Sequence, residues 1–403
     1  MLPPGSLRHC ALGVCFAASA QALEIRNYSA NLDRRMINIP AFQAATYGLS
    51  PALNSTFSLG AAKFLGVGYP DAPKDWTRQM GLISPRHIIY ATHYPLTASW
   101  KITFFGSDGL EHKYGLESQT PLINAQNQPT DMMLVTLSEP VTAPGVTPFR
   151  FYNLATEADY INKPLLACGS VTDSSTTKLD GFTTLVNDPG FDTTRFAYFD
   201  YNRNNPADTV HKCNVRPGDS GGPVFVMENN EPAILGAFSS SDDLTPNNGV
   251  DGPAFRSYVS SIPAYATILD TMMEPKGYHL KRFHPDTTTL ASNTTAVATL
   301  RQMKAGSVNI QASNTGSATA HNVAVKITFS QAPTSVAGTG WICEAASPLL
   351  WNCRRGGLNA ASAGTITANW TSLPEAASMQ VTSVRSYDGG TDLTLAQTLT
   401  LLP

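Results

Sequence analysis

The sequence predicts an all-β protein built in two units, a many-stranded core closed by one helix and then a separate β-sandwich. Three observations predict it. Only 14 % of residues are charged, while Thr, Ser, Asn, Gly and Pro are plentiful, which suits short strands joined by turns better than long salt-bridged helices. The chain has 403 residues, more than a single core usually serves. Composition also shifts at "HPDTTTLASNTTAVATL" (284–300), a Thr- and Ser-rich stretch that reads as an exposed connector running into a strand.

The N-terminus reads as a leader. "MLPPGSLRH" supplies Arg8 and His9, and the short apolar run "CALGVCFAASAQA" ends in Ala20-Gln21-Ala22, the small-x-small pattern that signal peptidase cuts. Residues 1–22 are therefore expected to be a signal peptide, and the protein to be secreted, periplasmic or extracellular. No segment reaches the roughly 18 consecutive apolar residues that a membrane-spanning helix needs. The net charge is −3 with no basic run, which excludes nucleic acid as a partner.

The first unit is assigned to residues 23–283. "HIIYATHY", "WKITFFG", "DMMLVTL", "KPLLACGS", "FAYFDY", "GPVFVM" and "AILGAFSS" are β-branched or aromatic runs of strand length. Helical spacing appears only at "SSIPAYATILDTMM" (260–273), where Ile262, Tyr265, Ala266 and Leu269 follow a serine cap signal. Residues 284–293 are read as the linker and 294–403 as the sandwich, with about seven short alternating strands and no acid–base cluster.

Cysteine usage agrees with export. Cys10 and Cys15 would leave with the leader, and four remain, an even number in an oxidising compartment. The most economical pairing is Cys168–Cys213 and Cys343–Cys353. No Cys-x-x-Cys pair exists, so neither a metal site nor a cofactor is expected.

"RPGDSGGPVF" (216–225) carries the chemistry. Glycine loses much freedom on folding, so clustered glycines mark unusual dihedrals or close backbone approach. A serine hydroxyl becomes a nucleophile only when an oriented base removes its proton and donors meet the oxyanion. Ser220 supplies the hydroxyl, the N–H groups of Gly218 and Ser220 the donors, and Gly221-Gly222 let a substrate backbone pass.

A base and its orienting acid are then expected upstream. His87 and His93 flank the run "IIYAT", and His93, following Ala91-Thr92, is placed where a ring faces a cleft. Asp131 opens the apolar run of "PTDMMLVTLSEPV". A carboxylate at such a strand start needs hydrogen-bond partners, and an imidazole N–H with backbone amides would supply them.

These blocks, "YATH", "TDMMLVTLSEPV" and "GDSGGPVF" in His-Asp-Ser order, resemble the signature blocks of the chymotrypsin-like (trypsin-type) serine endopeptidases over about residues 40–270. The resemblance implies a double β-barrel closed by the 260–273 helix. It also implies His93 as general base, Asp131 as its orienter, Ser220 as nucleophile and a Gly218/Ser220 oxyanion hole. Asp219 would hold the active loop in shape; Asn214, Ser239 and Ser240 would contact a protein or peptide substrate. Two departures stand out. Tyr94 replaces the family's cysteine after the histidine, and no Ile-Val-Gly-Gly-like segment follows the leader.

The second unit resembles the immunoglobulin-like repeat domains of bacterial surface and secreted proteins. Asn314-Thr315-Gly316-Ser317, Asn322-Val323, Gly340-Trp341-Ile342-Cys343 and Asn352-Cys353 carry the likeness. It implies surface or polymer binding. Two functional classes follow: a serine endopeptidase, or a protease-like binding or adhesion protein without catalysis. An α/β esterase is disfavoured, because strands here do not alternate with helices.

Overall fold

The computed structural model describes residues 59–71, 78–124, 127–154, 218–243, 254–283 and 288–403, with isolated residues before 59. It adds strand backbone between 165 and 202 and the short strands Glu24–Ile25, Ile37–Asn38, Ala52–Leu53 and Cys213–Asn214. The predicted leader, 1–22, lies outside the described residues.

Six strands close a barrel: β1 (Val67–Pro70), β2 (Met80–Ser84), β3 (His87–Ala91), β4 (Lys101–Phe105), β5 (Glu111–Ile123) and β6 (Pro129–Leu137). Their order around the barrel is β1-β2-β3-β6-β5-β4, closed by Tyr69 opposite Thr103. All five residues of β3 are buried. Its side chains alternate between faces, so both faces of that strand are covered. One set joins Leu82, Phe104 and Val135 in the barrel core. The other joins Ile83, Leu134 and Phe225 in a core shared with the second half and the helix.

The second half is an eight-stranded sheet built on β7 (Arg150–Phe151), β8 (Leu165–Asp173), β9 (Thr176–Val186), β10 (Gly190–Phe191) and β11 (Phe196–Asn202). It is completed by β12 (Pro223–Glu228), β13 (Glu231–Asp243) and β14 (Ala254–Ser261). The path runs β9-β8-β12-β13-β14-β11-β10, with β7 joined in parallel to β13. A closed barrel followed by this sheet, the helix and a sandwich is the all-β, two-unit architecture the sequence predicts.

Helix α1 (Ile262–Met273) buries Ile262, Tyr265, Leu269 and Met273 against the shared core. Ser261 is its N-cap in extended conformation, yet its hydroxyl makes no capping bond. The proline in the first turn is the terminus signal that holds, because an N–H missing there costs no helical bond. Among the described residues no helix is long and apolar enough to cross a membrane.

The sandwich begins at Leu290, inside the stretch read as connector. Its four-stranded sheet runs β15 (Leu290–Ala296), β16 (Gly306–Asn314), β21 (Ala363–Trp370), β18 (Ser335–Ala337). The facing five-stranded sheet runs β19 (Ile342–Ser347), β20 (Leu350–Leu358), β17 (Ala320–Phe329), β22 (Ser378–Ser386), β23 (Leu393–Thr400). Strict alternation puts Val323, Val325, Ile327 and Phe329 of β17 into a core separate from that of the first unit.

Cys343 and Cys353 lie directly opposite each other on β19 and β20 and form a disulfide, as expected. Cys168 is buried on β8. The side chain of Cys213 lies outside the described residues, and the expected Cys168–Cys213 pairing with it.

Candidate active site

Strand pairing assembles the site. Antiparallel β3 and β6 put Ala91 opposite Met132, so the turn that follows Ala91 lands beside Asp131. Thr92 N donates to Asp131 O at 3.4 Å, and Tyr94 N to Ala91 O at 3.4 Å, closing the turn that carries His93. On the other half, β12 and β13 pair with Pro223 opposite Ala237. That register draws the Ser220 loop to Phe238, through Gly221 N to Phe238 O and Phe238 N to Gly222 O, both 2.9 Å.

A continuous polar chain results. His93 Nδ1 lies 2.7 Å from Asp131 Oδ1 and 2.9 Å from Oδ2. The backbone N–H of His93 also donates to Asp131 Oδ1, at 3.1 Å, which fixes the carboxylate against the turn. On the far edge of the ring, Nε2 lies 2.8 Å from Ser220 Oγ. The carboxylate assigns the tautomer: Nδ1 carries the proton and Nε2 accepts from the Ser220 hydroxyl. The His93 side chain is 47 % exposed and that of Asp131 only 22 %, so the imidazole faces solvent while its partner is shielded.

The loop backbone explains its glycines. Gly218 has φ 107° and Gly221 φ 88°, values other residues rarely adopt. A Cβ on Gly221 would meet the Tyr90 ring at 2.1 Å. Gly222 N donates to Asp219 O at 2.9 Å, and Asp219 is 1 % exposed, buried beneath the loop. Cys213–Asn214 pairs with Glu24–Ile25 just before this loop; the Asn214 side chain lies outside the described residues.

Ser239 does something its sequence context did not announce. It was expected to face substrate, but its hydroxyl donates to Asp131 Oδ2. The β13–β14 register slips between Phe238 and Ser240, and a bulge of this kind re-aims a side chain. Ser240, next in line, is exposed.

His87, the other histidine flanking the strand, takes no part. It is fully buried, accepts or donates at Nδ1 with Ser84 Oγ at 2.6 Å, and packs edge-on against Tyr278. Burial first, then the neighbouring Arg86 and Lys276 charges, pushes its pKa down to about 4. Tyr94, next to His93, is fixed by a neighbouring cation. The Arg78 guanidinium lies 3.5 Å from the centre of its ring and donates to Pro95 O at 3.0 Å, a cation–π clamp on the His93 turn.

No protein-family model matches the chain, and no curated protein matches it significantly. Among solved structures, the secreted serine protease VesC from Vibrio cholerae aligns at 11 % identity and a TM-score of 0.35, covering 84 % of this chain and 69 % of that one. The functional reading therefore rests on the residues themselves.

Proposed function

We propose that this chain is a secreted serine endopeptidase that cleaves peptide bonds through an acyl-enzyme. The observation that carries the reading is the unbroken Ser220–His93–Asp131 chain, 2.8 Å at one joint and 2.7 Å at the other. A structural serine or histidine has no need of that alignment; a nucleophile, its base and the base's orienter do.

In the proposed reaction, Ser220 Oγ attacks the substrate carbonyl as its proton passes to His93 Nε2. Asp131 keeps its own charge, holds the ring and stabilises the imidazolium. The oxyanion is received by the N–H groups of Gly218 and Ser220, which a glycine-rich turn presents without side-chain obstruction. His93 then returns the proton to the leaving amine, and water, activated by the same ring, frees the acid. Asp219 shapes the loop, and Asn214 and Ser240 contact the substrate.

Residues 1–22 serve in this reading as the export signal. The unit before residue 284 holds the catalytic groups, and the sandwich holds a surface or polymer. The binding-protein alternative, a relic of such a site, finds no support in the triad's geometry. A fluorophosphonate probe separates the two. The peptidase reading expects stoichiometric labelling at Ser220 that is lost in His93→Ala; a folded protein that never labels would overturn it.

A further inference from the structure

The geometry points to a zinc-class metal site between the two units, formed by Asp270, His279 and His321. Ligand atoms of these three residues lie within 4.8 Å of one another. Asp270 lies buried in the last turn of α1, His279 follows the left-handed turn at Gly277, and His321 belongs to β17 of the sandwich. None of them contacts the proposed triad, so the site stands independently of the peptidase reading.

The close approach of the ligand atoms makes the case. His279 Nδ1 and His321 Nδ1 face each other at 3.0 Å. Arg282 Nη1 donates to the same His321 Nδ1 at 2.9 Å, and its Nη2 to Asp270 Oδ2 at 2.5 Å. A neutral imidazole nitrogen has one lone pair in the ring plane, yet two nitrogens, His279 Nδ1 and Arg282 Nη1, crowd His321 Nδ1. His279 Nε2 meanwhile meets the Glu274 carboxylate. The Arg282 guanidinium thus sits against two of the three ligand residues, in the place a cation would take.

A single divalent ion resolves that crowding. It takes both Nδ1 lone pairs and one Asp270 oxygen together, and the nitrogens, 3.0 Å apart, need separate by only a few tenths of an ångström to reach the tetrahedral spacing set by bond lengths of about 2.0–2.1 Å. His279 then keeps its proton on Nε2 and donates it to Glu274, the carboxylate–histidine–metal arrangement that orients a ligand ring. Imidazole with one carboxylate favours zinc and its neighbours over calcium or magnesium. His279 is held further by Asn322 Oδ1, which accepts its backbone N–H at 2.9 Å.

Asp270, His279 and His321 line a cavity of about 800 Å³ between the units, and Arg282 lines it too. The guanidinium therefore has somewhere to swing when the ion displaces it. Asp270 Oδ1 stays bonded to Leu280 N at 2.7 Å, so the loop that carries His279 is held during the exchange.

The test uses full-length Ser220→Ala protein, which cannot digest itself, titrated with zinc chloride by calorimetry and equilibrium dialysis. One equivalent should bind and raise Tm. His321→Ala and His279→Ala should each weaken binding at least tenfold, and Glu274→Gln by about 10- to 100-fold. Arg282→Ala should bind more tightly than the parent, because it removes the competing cation. That last readout needs no ligand variant to fold. The proposal is overturned by absence of zinc binding, by binding indifferent to both histidine variants, or by an Arg282→Ala affinity no better than the parent's.

Discussion

Ser239 and Asp131 come from opposite halves of the first unit, and the Ser239 hydroxyl donates to the Asp131 oxygen that also faces the His93 ring. The carboxylate is thereby held from three directions: by this hydroxyl, by the His93 ring and by the His93 backbone. Ser239→Ala should leave the fold intact and lower kcat by roughly tenfold, the scale of one hydrogen bond to a charged group. With one donor gone the carboxylate pulls harder on the His93 proton, so the acid limb of the pH–rate profile should also move upward. An unchanged profile alongside a fallen rate would remove Ser239 from the site.

Ser220→Ala and His93→Ala should each lower turnover on the order of 10⁴- to 10⁶-fold, and the double variant should be little worse, since the groups act as one unit. The parent's rate should climb across near-neutral pH and flatten in mild alkali, because only a neutral imidazole accepts the serine proton. Steady-state hydrolysis of one chromogenic peptide, from pH 5 to 9, checks both statements.

His87 gives the fold a second, separate acid sensitivity. Its pKa is depressed to about 4 in the folded protein, against about 6.5 unfolded. The unfolded chain thus binds a proton before the folded one does. His87 costs nothing above pH 6.5, and stability drains away as pH falls from there towards 4. His87→Asn should flatten the dependence of Tm on pH in that window, whatever it does to Tm at pH 8; an unaltered slope would clear His87 of the effect.

Gly221→Ala should be severe. The new methyl meets the Tyr90 ring, and φ 88° is hostile to any side chain. Strain and overpacking together should cost about 2–4 kcal/mol, read as a lower denaturant midpoint, with the Ser220 loop displaced and hydrolysis lost.

The two units touch through named bonds: Arg282 to His321, His279 N to Asn322, and Arg354 Nε to Lys276 O at 3.0 Å. Each hydrophobic core is nonetheless closed within its own unit. A chain ending near Pro285 should therefore still cleave a short peptide, at a reduced Tm. A folded truncation product with no activity would make the sandwich part of the cleft.

What was legible in the sequence follows from how local the signal is. His93, Asp131 and Ser220, which the fold brings together, stand in short strings whose neighbours (Ala91-Thr92, the apolar run after Asp131, the glycines round Ser220) single them out. The role of Ser239 was not legible, because a serine inside "AFSSS" looks alike whichever way it points. Only the slipped register between Phe238 and Ser240 decides that. His279 and His321 were unreadable for another reason: 42 positions separate them, and they meet only once the sandwich docks. Arg385 is a similar case, since alternation on β22 places it inward, wholly buried, with Nη2 reaching Gln311 O at 3.1 Å. Burial lowers its pKa to about 10, and no string around it predicts an arginine inside.

The division of the polar chain between the halves has a consequence for biosynthesis. His93 and Asp131 belong to the six-stranded barrel, whereas Ser220 and Ser239 belong to the sheet made later in the chain. A nascent polypeptide whose barrel has already formed holds the His93–Asp131 pair but not yet the serine that this pair reaches. On the peptidase reading proposed above, the emerging chain therefore has no means of cutting itself until that later sheet has been made.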